Sequence, residues 1–228
     1  MQLRNAKITD LYQIAHVWHA AFFDDEIIGN IMHPNRIAYP DDVYYWLLRG
    51  IRERYFDWRH QFVVVTKEVD GQEVILGAAE WRRLGQGGKK MELGTWDPRS
   101  FLKPSISLFN RLSLLFFPNR AMDPTRDNFL ERSLSKSAHH WMGDRAECWD
   151  LHVCGVHPNY HHQGIGKQLV RWGIQRADEE EVCASVVCGQ KNRAFYIGAG
   201  LETEVEDTRT EEKKGSGGKV VLFKVSGT

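Results

Sequence analysis

A glycine-rich turn at residues 158–166 carries the clearest chemical signal in this sequence. An apolar, strand-like run ends at Pro158, and Gly164 and Gly166 then open a segment with helical periodicity. The first backbone N–H groups of a helix have no partner within it, and the helix dipole is positive at that end. Because glycines let a ligand approach this backbone closely, the turn predicts a phosphate-binding site.

Two common phosphate-binding signatures do not fit this turn. A P-loop would need glycine at position 161 and serine or threonine at position 168, where the chain has His161 and Gln168. A dinucleotide-binding fingerprint would need a third glycine where Leu169 stands. These departures argue against an ATPase and against a Rossmann dehydrogenase.

The turn instead resembles the acetyl-coenzyme-A loop of the GCN5-related N-acetyltransferase (GNAT) superfamily. That family's loop reads Gln/Arg-x-x-Gly-x-Gly/Ala and follows a strand ending in Val-x-Pro. Here the strand ends Val156-His157-Pro158, and the loop runs His161-His162-Gln163-Gly164-Ile165-Gly166, with His161 in place of the usual Gln or Arg. The later stretch Phe195-Tyr196-Ile197-Gly198-Ala199-Gly200-Leu201 is similar to the family's Leu-Tyr-x-x-x-Gly-Phe segment. The resemblance covers most of residues 2–82 and 146–225, and its specific motifs lie within 151–201.

The resemblance implies a fold and a co-substrate. The expected fold is α/β (α+β), with a mixed, mostly antiparallel central sheet flanked by helices and with parallel strands splayed around the cofactor. Residues 1–228 are expected to form a single domain with an insertion at about 84–144, where no family motif can be placed. Acetyl-CoA is the expected co-substrate.

The same resemblance assigns cofactor contacts to the turn and to the strand before it. Backbone amides of residues 162–167 would wrap the pyrophosphate, and the preceding strand would bind the pantetheine arm through its backbone. Gly155 within that strand indicates a bulge or a close backbone approach, and Asn192 is either a cofactor contact or a helix cap. The full predicted set is Cys154, Gly155, Val156, His161, His162, Gln163, Gly164, Ile165, Gly166, Lys167, Asn192 and Tyr196.

Four residues are candidates for catalysis. The resemblance implies that Tyr196 donates a proton to the departing coenzyme-A thiolate, although an aromatic side chain on that helix also suits the core. An amine nucleophile must be neutral, so a base or a water chain must take its proton. Candidate bases are Glu80 on a hairpin strand and Asp150 and His152, which share one strand face by their spacing of two. Each of these also has a purely structural interpretation.

The implied function is acetyl transfer from acetyl-CoA to a primary amine by direct attack, with a small molecule as the expected acceptor. Two alternatives stay open. In the first alternative, which the departure at His161 favours, the chain is a non-catalytic acyl-CoA-binding or sensor protein of the same fold. In the second, it binds another phosphorylated ligand such as a nucleotide. The acceptor itself cannot be identified from the sequence.

Composition limits the expected partners and cellular location of the protein. Basic and acidic residues number 30 each, so total charge does not indicate a nucleic-acid partner. The chain contains no run of about 18 apolar residues, so no membrane span is predicted. The first residues also lack the apolar stretch of a secretory signal. None of the four cysteines forms a C-x-x-C pair, which indicates free thiols and a cytoplasmic location. A small-molecule amine and a possible homodimer are expected as partners, and neither nucleic acid nor membrane.

Several histidines near the turn raise the question of a metal site. His152, His157, His161 and His162 lie close together in sequence with Cys154. Pro158 interrupts any helical pairing of His157 with His161, and no H-E-x-x-H motif is present. No metal site is therefore predicted.

The spacing of apolar residues predicts the elements that position the turn. Helices are predicted over residues 10–22, 41–54, 106–117, 163–180 and 193–198. Thr9 or Asp10, and Asp41 or Asp42, are the expected caps of the first two helices. Strands are predicted over 3–7, 61–67, 73–82, 146–156, 182–188, 203–206 and 220–225, with an Asp70-Gly71 hairpin turn between the second and third.

The predicted helix at 106–117 has two interpretations. Leu108, Leu112, Leu115 and Phe116 would form one face, and this face either folds over the acceptor site or belongs to a helix packed on the surface of the domain. An apolar lid would favour a small-molecule acceptor over a basic protein tail.

Overall fold

A mixed sheet lies at the centre of the computed structural model, which describes residues 1–94, 96–208 and 219–224. Within these residues seven strands are ordered β1-β2-β3-β4-β5-β7-β6. Neighbouring strands are antiparallel except β4 and β5, which are parallel. This confirms the mixed, mostly antiparallel sheet. The strands are β1 (Gln2–Asn5), β2 (His60–Val69), β3 (Gln72–Arg83), β4 (Cys148–Val156), β5 (Cys183–Gly189), β6 (Thr203–Thr208) and β7 (Lys219–Lys224).

Helices cover both faces of the sheet. The α-helices are α1 (Leu11–Phe22), α2 (Pro40–Tyr55), α3 (Gly85–Met91), α4 (Leu102–Phe116), α5 (Phe129–Ser135), α6 (Ile165–Glu179) and α7 (Arg193–Ala199). One apolar core joins α6 and α7 to the sheet, and a second core joins α1 and α2 to its other face. In the part of the chain that the structure describes, no helix has the length and apolar character needed to cross a bilayer.

The predicted elements are present with shifted ends, but the predicted caps are wrong. The Asp10 carboxylate accepts a hydrogen bond from the Lys7 amide and one from Arg4 at 2.6 Å instead of capping α1. Helix α2 begins at Pro40, so Asp42 lies in its first turn, where it binds the guanidinium of Arg120. Both carboxylates therefore find distant cationic partners that a local capping rule does not consider. The predicted strand end at Val225 lies outside the described residues, as do most residues of the preceding turn.

The segment at 84–144 lies between β3 and β4 and contains α3, α4 and α5. Its description as an insertion in a single domain stays a prediction. Helix α4 packs against α2, as the surface-helix interpretation expects. Leu108, Leu112, Leu115 and Phe116 are exposed on α4, so the apolar face does not fold over the domain.

Trp81 anchors α6, the helix that follows the glycine-rich turn. Its side chain is fully buried between β3 and α6, and its indole N–H donates a 3.2 Å hydrogen bond to the Leu169 carbonyl. A Cβ atom on Gly173 would overlap the Trp81 ring. The close contact of this glycine with the indole thus sets the distance of α6 from the sheet.

We predict that Gly173→Ala destabilises the protein by about 1–3 kcal/mol, because overpacking against Trp81 outweighs the better helix propensity of alanine. The matched control is Gly198→Ala in α7, where a Cβ meets nothing within 4 Å. That change is expected to be neutral or to stabilise by up to about 1 kcal/mol. Urea unfolding of both variants gives the comparison, and a Gly173→Ala protein as stable as the wild type would contradict the packing argument.

Candidate functional site

Strands β4 and β5 separate after four paired residues. Their parallel register runs from Cys148 opposite Cys183 to Leu151 opposite Val186 and goes no further. Beyond that point β4 continues to Val156 and β5 to Gly189. The predicted splay between the two strands is therefore confirmed. Beyond the paired residues, the backbone N–H and C=O groups on the facing edges of β4 and β5 do not hydrogen-bond to the other strand. Such groups require a ligand or water as a partner.

A β-bulge lies at the start of this gap. The register of β3 with β4 passes from Glu80 opposite Val153 to Trp81 opposite Leu151, so His152 has no opposite residue. A bulge bends its strand and re-aims a side chain. The bulge lies at His152, where none was predicted from the sequence, so Gly155 is not a bulge. Of the two interpretations of Gly155, the close approach is the one observed, because a Cβ there would lie 2.8 Å from Trp18 Cδ1 on α1.

The turn between β4 and α6 has the backbone that the glycine pattern predicted. Gly164 adopts φ +76°, a left-handed conformation that favours glycine, and immediately precedes α6. The His161 Nε2–H group donates a 3.0 Å hydrogen bond to the Val156 carbonyl. His161, which departs from the family pattern, thus connects the turn to the end of β4 through this hydrogen bond.

The amides of residues 162–167 are placed to bind an anion. The first amides of an α-helix have no acceptor within the helix. In the described structure, Gln168 is the first residue of α6 whose N–H donates a hydrogen bond to a preceding carbonyl, that of Gly164 at 3.1 Å. The side chains of His162, Gln163 and Lys167 are exposed around these amides. Lys167 adds positive charge to the positive end of the helix dipole.

Tyr196 lies in the core beside the gap. Its side chain is 8% exposed and packs in the cluster shared by α6 and α7. Burial raises the pKa of Tyr196 well above its ordinary value, and the thiols of Cys154 on β4 and Cys188 on β5 raise it further. The hydroxyl is therefore protonated at neutral pH and interacts with groups on both separated strands. Asn192, by contrast, is exposed and its side chain does not cap α7.

Glu80 is fully buried and held by two partners. Arg54 Nε donates to its Oε1 at 2.7 Å, and His60 Nδ1 donates to the same oxygen at 2.6 Å. Burial favours the neutral acid, but Arg54, His152 and His60 outweigh it and lower the pKa of Glu80 to about 2. A carboxylate with so low a pKa is a weak base.

Asp150 has a bridging position between three strands. The Ser185 hydroxyl on β5 donates to it at 2.8 Å, and Arg82 Nη2 on β3 donates at 3.3 Å. Ser185 in turn accepts a 3.0 Å hydrogen bond from the Trp141 indole. These contacts give Asp150 a structural task at the point where β4 and β5 are still paired.

His152 combines partial burial with a neutral ring. Burial lowers the pKa of His152 below its ordinary value, although the Glu80 carboxylate acts in the opposite direction. Its ring stands perpendicular to that of His60, with 6.0 Å between ring centres. A neutral imidazole at the bulge has a free lone pair for a proton.

Sequence reasoning missed Arg54 and His60, the partners of Glu80. The signal was the carboxylate itself, since Glu80 stands in an otherwise apolar stretch from Val74 to Trp81, and a buried charge requires a partner. Which residues supply it depends on how α2 and β2 meet β3. Among the described residues, no group of three or more histidine, cysteine, aspartate or glutamate side chains could hold a metal ion.

Comparison with known proteins gives consistent results. The model of the acetyltransferase (GNAT) family matches residues 131–200, which include the turn and Tyr196. A protein from Stachybotrys chartarum named "Acetyltransferase" is 25% identical over 203 residues, which cover 88% of this chain and 80% of that protein.

Two solved structures share the fold. A histone acetyltransferase HPA2 and related acetyltransferase from Corynebacterium glutamicum superposes with a TM-score of 0.62 at 14% identity, covering 100% of this chain and 97% of that one. A polyamine N-acetyltransferase from Drosophila melanogaster, which forms N-acetylagmatine, superposes with a TM-score of 0.53 at 14% identity, covering 98% of this chain and 99% of that one.

We predict that Glu80→Gln destabilises the protein by about 3 kcal/mol at pH 7, because it leaves the half-buried guanidinium of Arg54 without its carboxylate partner. The pKa of Glu80 is lower in the folded than in the unfolded chain, so its contribution is complete above about pH 4.3 and is lost as the pH falls towards 2. The difference in unfolding free energy from wild type should therefore shrink between pH 5 and pH 3. Denaturant unfolding across this range measures it.

Glu73→Gln is the control, since Glu73 pairs with Arg4 at 2.8 Å on the surface and should have a much smaller effect at pH 7. A difference between wild type and Glu80→Gln that stays constant from pH 7 to pH 3 would show that Glu80 is not the ionised centre of this cluster.

Proposed function

We propose that the chain, whose residues 131–200 match the GNAT acetyltransferase family model, transfers an acetyl group from acetyl-CoA to the primary amine of a small molecule by direct attack. The observation that carries the proposal is the separation of β4 from β5 next to a turn whose amides have no hydrogen-bond acceptor among the described residues. One end of this arrangement suits a diphosphate and the other suits an extended, amide-containing arm.

The residues of the turn fit the coenzyme through their backbone. Amides of residues 162–167 would hold the pyrophosphate, with Lys167 adding charge at the rim. The β4 edge from Cys154 to Val156 is not paired with β5 and offers hydrogen bonds to the pantetheine amides. Because these contacts come from the main chain, the replacement of Gln or Arg by His161 does not remove them.

Tyr196 is the proposed acid. The amine nitrogen attacks the carbonyl carbon of the thioester, the carbon–sulfur bond breaks, and the sulfur leaves as a thiolate. The Tyr196 hydroxyl, protonated and near Cys154 and Cys188 in the gap, would donate its proton to that sulfur. A backbone N–H of β4 near the bulge would polarise the carbonyl oxygen.

His152 is the proposed base. Of the three candidates it alone has no short hydrogen bond to a charged neighbour within the described structure, whereas Glu80 and Asp150 are bound by arginines. Burial lowers the pKa of His152, so its ring is neutral before it accepts a proton. The ionised Glu80 nearby would stabilise the imidazolium that forms when His152 takes the proton of the amine. Glu80 then acts through His152 and not on the substrate.

The class of acceptor rests on weaker support. The Drosophila structure is named for polyamine acetylation, which favours a small-molecule amine, whereas the Corynebacterium protein is named as a histone acetyltransferase. We place the reaction in the cytoplasm, because all four cysteines are free.

We predict that Gly164→Trp weakens acetyl-CoA binding at least 30-fold, because an indole would stand over the amides that hold the pyrophosphate. Gly71→Trp is the matched control: Gly71 has φ +77° and Gly164 has φ +76°, and a Cβ meets nothing within 4 Å at either position. Only Gly164 belongs to the turn, so the control should keep wild-type affinity in a calorimetric titration. Equal losses in the two variants would point to backbone strain and remove the turn from the site.

Release of free thiol from acetyl-CoA in the presence of polyamines, arylalkylamines, amino sugars and amino acids tests the reaction itself. Turnover with at least one amine supports the enzyme. Thermal stabilisation by acetyl-CoA without thiol release from any amine would favour the sensor, and stronger binding of ATP than of coenzyme A would favour a nucleotide-binding module.

With the best acceptor, two variants should separate the proposed proton donor from the proposed acceptor. Tyr196→Phe should lower kcat about 10- to 100-fold at every pH while the Kd for acetyl-CoA changes little. In the wild type kcat/KM should fall as the pH drops below the lowered pKa of His152, because the ring becomes protonated.

His152→Gln should lose that acidic limb of the pH profile, and Tyr196→Phe should keep it, so each variant controls for the other. Tyr45→Phe on α2, far from the gap, tests for a general effect of removing a phenol. An unchanged acidic limb in His152→Gln would reject His152 as the base.

A further inference from the structure

Helix α4 presents an apolar face to solvent. Leu108, Leu112 and Leu115 are 59%, 51% and 76% exposed, and Phe101 and Phe116 at its ends are 69% and 78% exposed. The spacing of these residues places them on one side of the helix. With roughly 150–200 Å² for each large apolar side chain, the exposed area is on the order of 600 Å². That matches the upper end of the largest patches on monomeric proteins, about 300–600 Å².

The opposite face of α4 is the one that packs on the protein, and it is largely polar. Asn110 is 3% exposed and donates a 3.0 Å hydrogen bond from Nδ2 to the Arg49 carbonyl on α2. Ser107 and Ser113 flank Asn110 and are half-buried. An ordinary surface helix buries its apolar side, so α4 has its amphipathic pattern reversed.

This orientation is fixed by contacts on α2. Arg49 Nη1 donates to the Phe117 carbonyl at 3.1 Å, and the Phe117 ring stacks on Tyr45 with 4.2 Å between ring centres. The Arg52 guanidinium lies over Phe109 at 5.1 Å. The apolar face therefore points outward because the polar side is held on α2.

Basic residues occur along this segment. Residues 98–122 contain Arg99, Lys103, Arg111 and Arg120 and no acidic residue. Three of them pair with carboxylates elsewhere in the chain: Arg99 with Asp97, Lys103 with Asp57, and Arg120 with Asp42. Arg111 is exposed on α4, and no carboxylate forms an ion pair with it among the residues described.

Two lysines lie near the start of α4. Glu92 pairs with Arg59, which pairs with Asp57, and Asp57 binds Lys103 Nζ on α4 at 2.6 Å. This series of ion pairs brings the end of α3, with the exposed Lys89 and Lys90, next to the first turn of α4.

We propose that α4 docks on an anionic lipid surface, with its apolar face in the interface and the basic residues at the headgroups. A helix with leucine and phenylalanine on one side, flanking lysine and arginine, and no acid fits such a surface. A second copy of the chain would bring the exposed Arg111 residues of two α4 helices together, whereas anionic headgroups would neutralise Arg111 and the exposed Lys89 and Lys90. This proposal differs from the prediction of no membrane partner and does not depend on acyl transfer.

Co-sedimentation of the full chain with vesicles tests the proposal. The vesicles contain either phosphatidylcholine alone or phosphatidylcholine with about one third phosphatidylserine. Wild-type protein should sediment with the anionic vesicles, and salt should weaken this binding. The double variant Leu112→Glu/Leu115→Glu should bind at least tenfold more weakly, and Arg111→Gln should bind severalfold more weakly.

The matched control is Ile8→Glu/Val69→Glu, which makes the same kind of change at two exposed apolar residues away from α4 and should bind like wild type. Thermal unfolding verifies that all variants fold. Equal sedimentation of wild type and the α4 double variant would overturn the proposal, as would equal binding to neutral and anionic vesicles. A dimer in vesicle-free sedimentation that Leu112→Glu/Leu115→Glu dissociates would assign the face to a second copy and equally overturn it.

Discussion

The end of pairing between β4 and β5 is the constraint on which the rest of the site depends. Two parallel strands that stop bonding after Leu151 and Val186 leave facing edges whose main-chain polar groups do not pair with each other. Because β4 and β5 are joined by α6, the turn that begins this helix lies at the same edge of the sheet as the gap. A ligand with a phosphate at one end and amides along its length is therefore complementary to the chain through backbone alone.

Two carboxylates, Glu80 and Asp150, and the neutral ring of His152 lie close to this gap. Glu80 keeps its charge in a fully buried position because Arg54 and His60 contact it directly. Asp150 keeps its position through Ser185 and Arg82. In the proposed mechanism the roles are separate: the carboxylates fix the geometry of the site, and the imidazole of His152 at the bulge accepts the proton.

The sequence was sufficient to predict most of the strands and helices, because strand alternation, helical spacing and the Asp70-Gly71 turn are local signals. The mixed, mostly antiparallel sheet was predicted from the resemblance to the GNAT family. The glycine-rich turn and its link to α6 were likewise readable from residue types. The roles of individual site residues are still predictions. What local patterns did not give were long-range partners: Arg120 for Asp42, Arg54 and His60 for Glu80, and Trp18 against Gly155. The exposure of the apolar face of α4 was also not predicted, because the apolar side of an amphipathic helix is normally buried.

The position of residues 84–147 between β3 and β4 has a consequence for how this protein folds and diverges. These two strands are adjacent and antiparallel, a pairing that a two-residue hairpin could make, yet a long stretch of chain connects them. Their pairing must close a large loop, which slows folding, but the entropic cost rises only about 0.6 kcal/mol for each doubling of loop length. Insertions, deletions and substitutions in this connection therefore cost the sheet little stability, so the surface that it carries can change separately from the gap between β4 and β5.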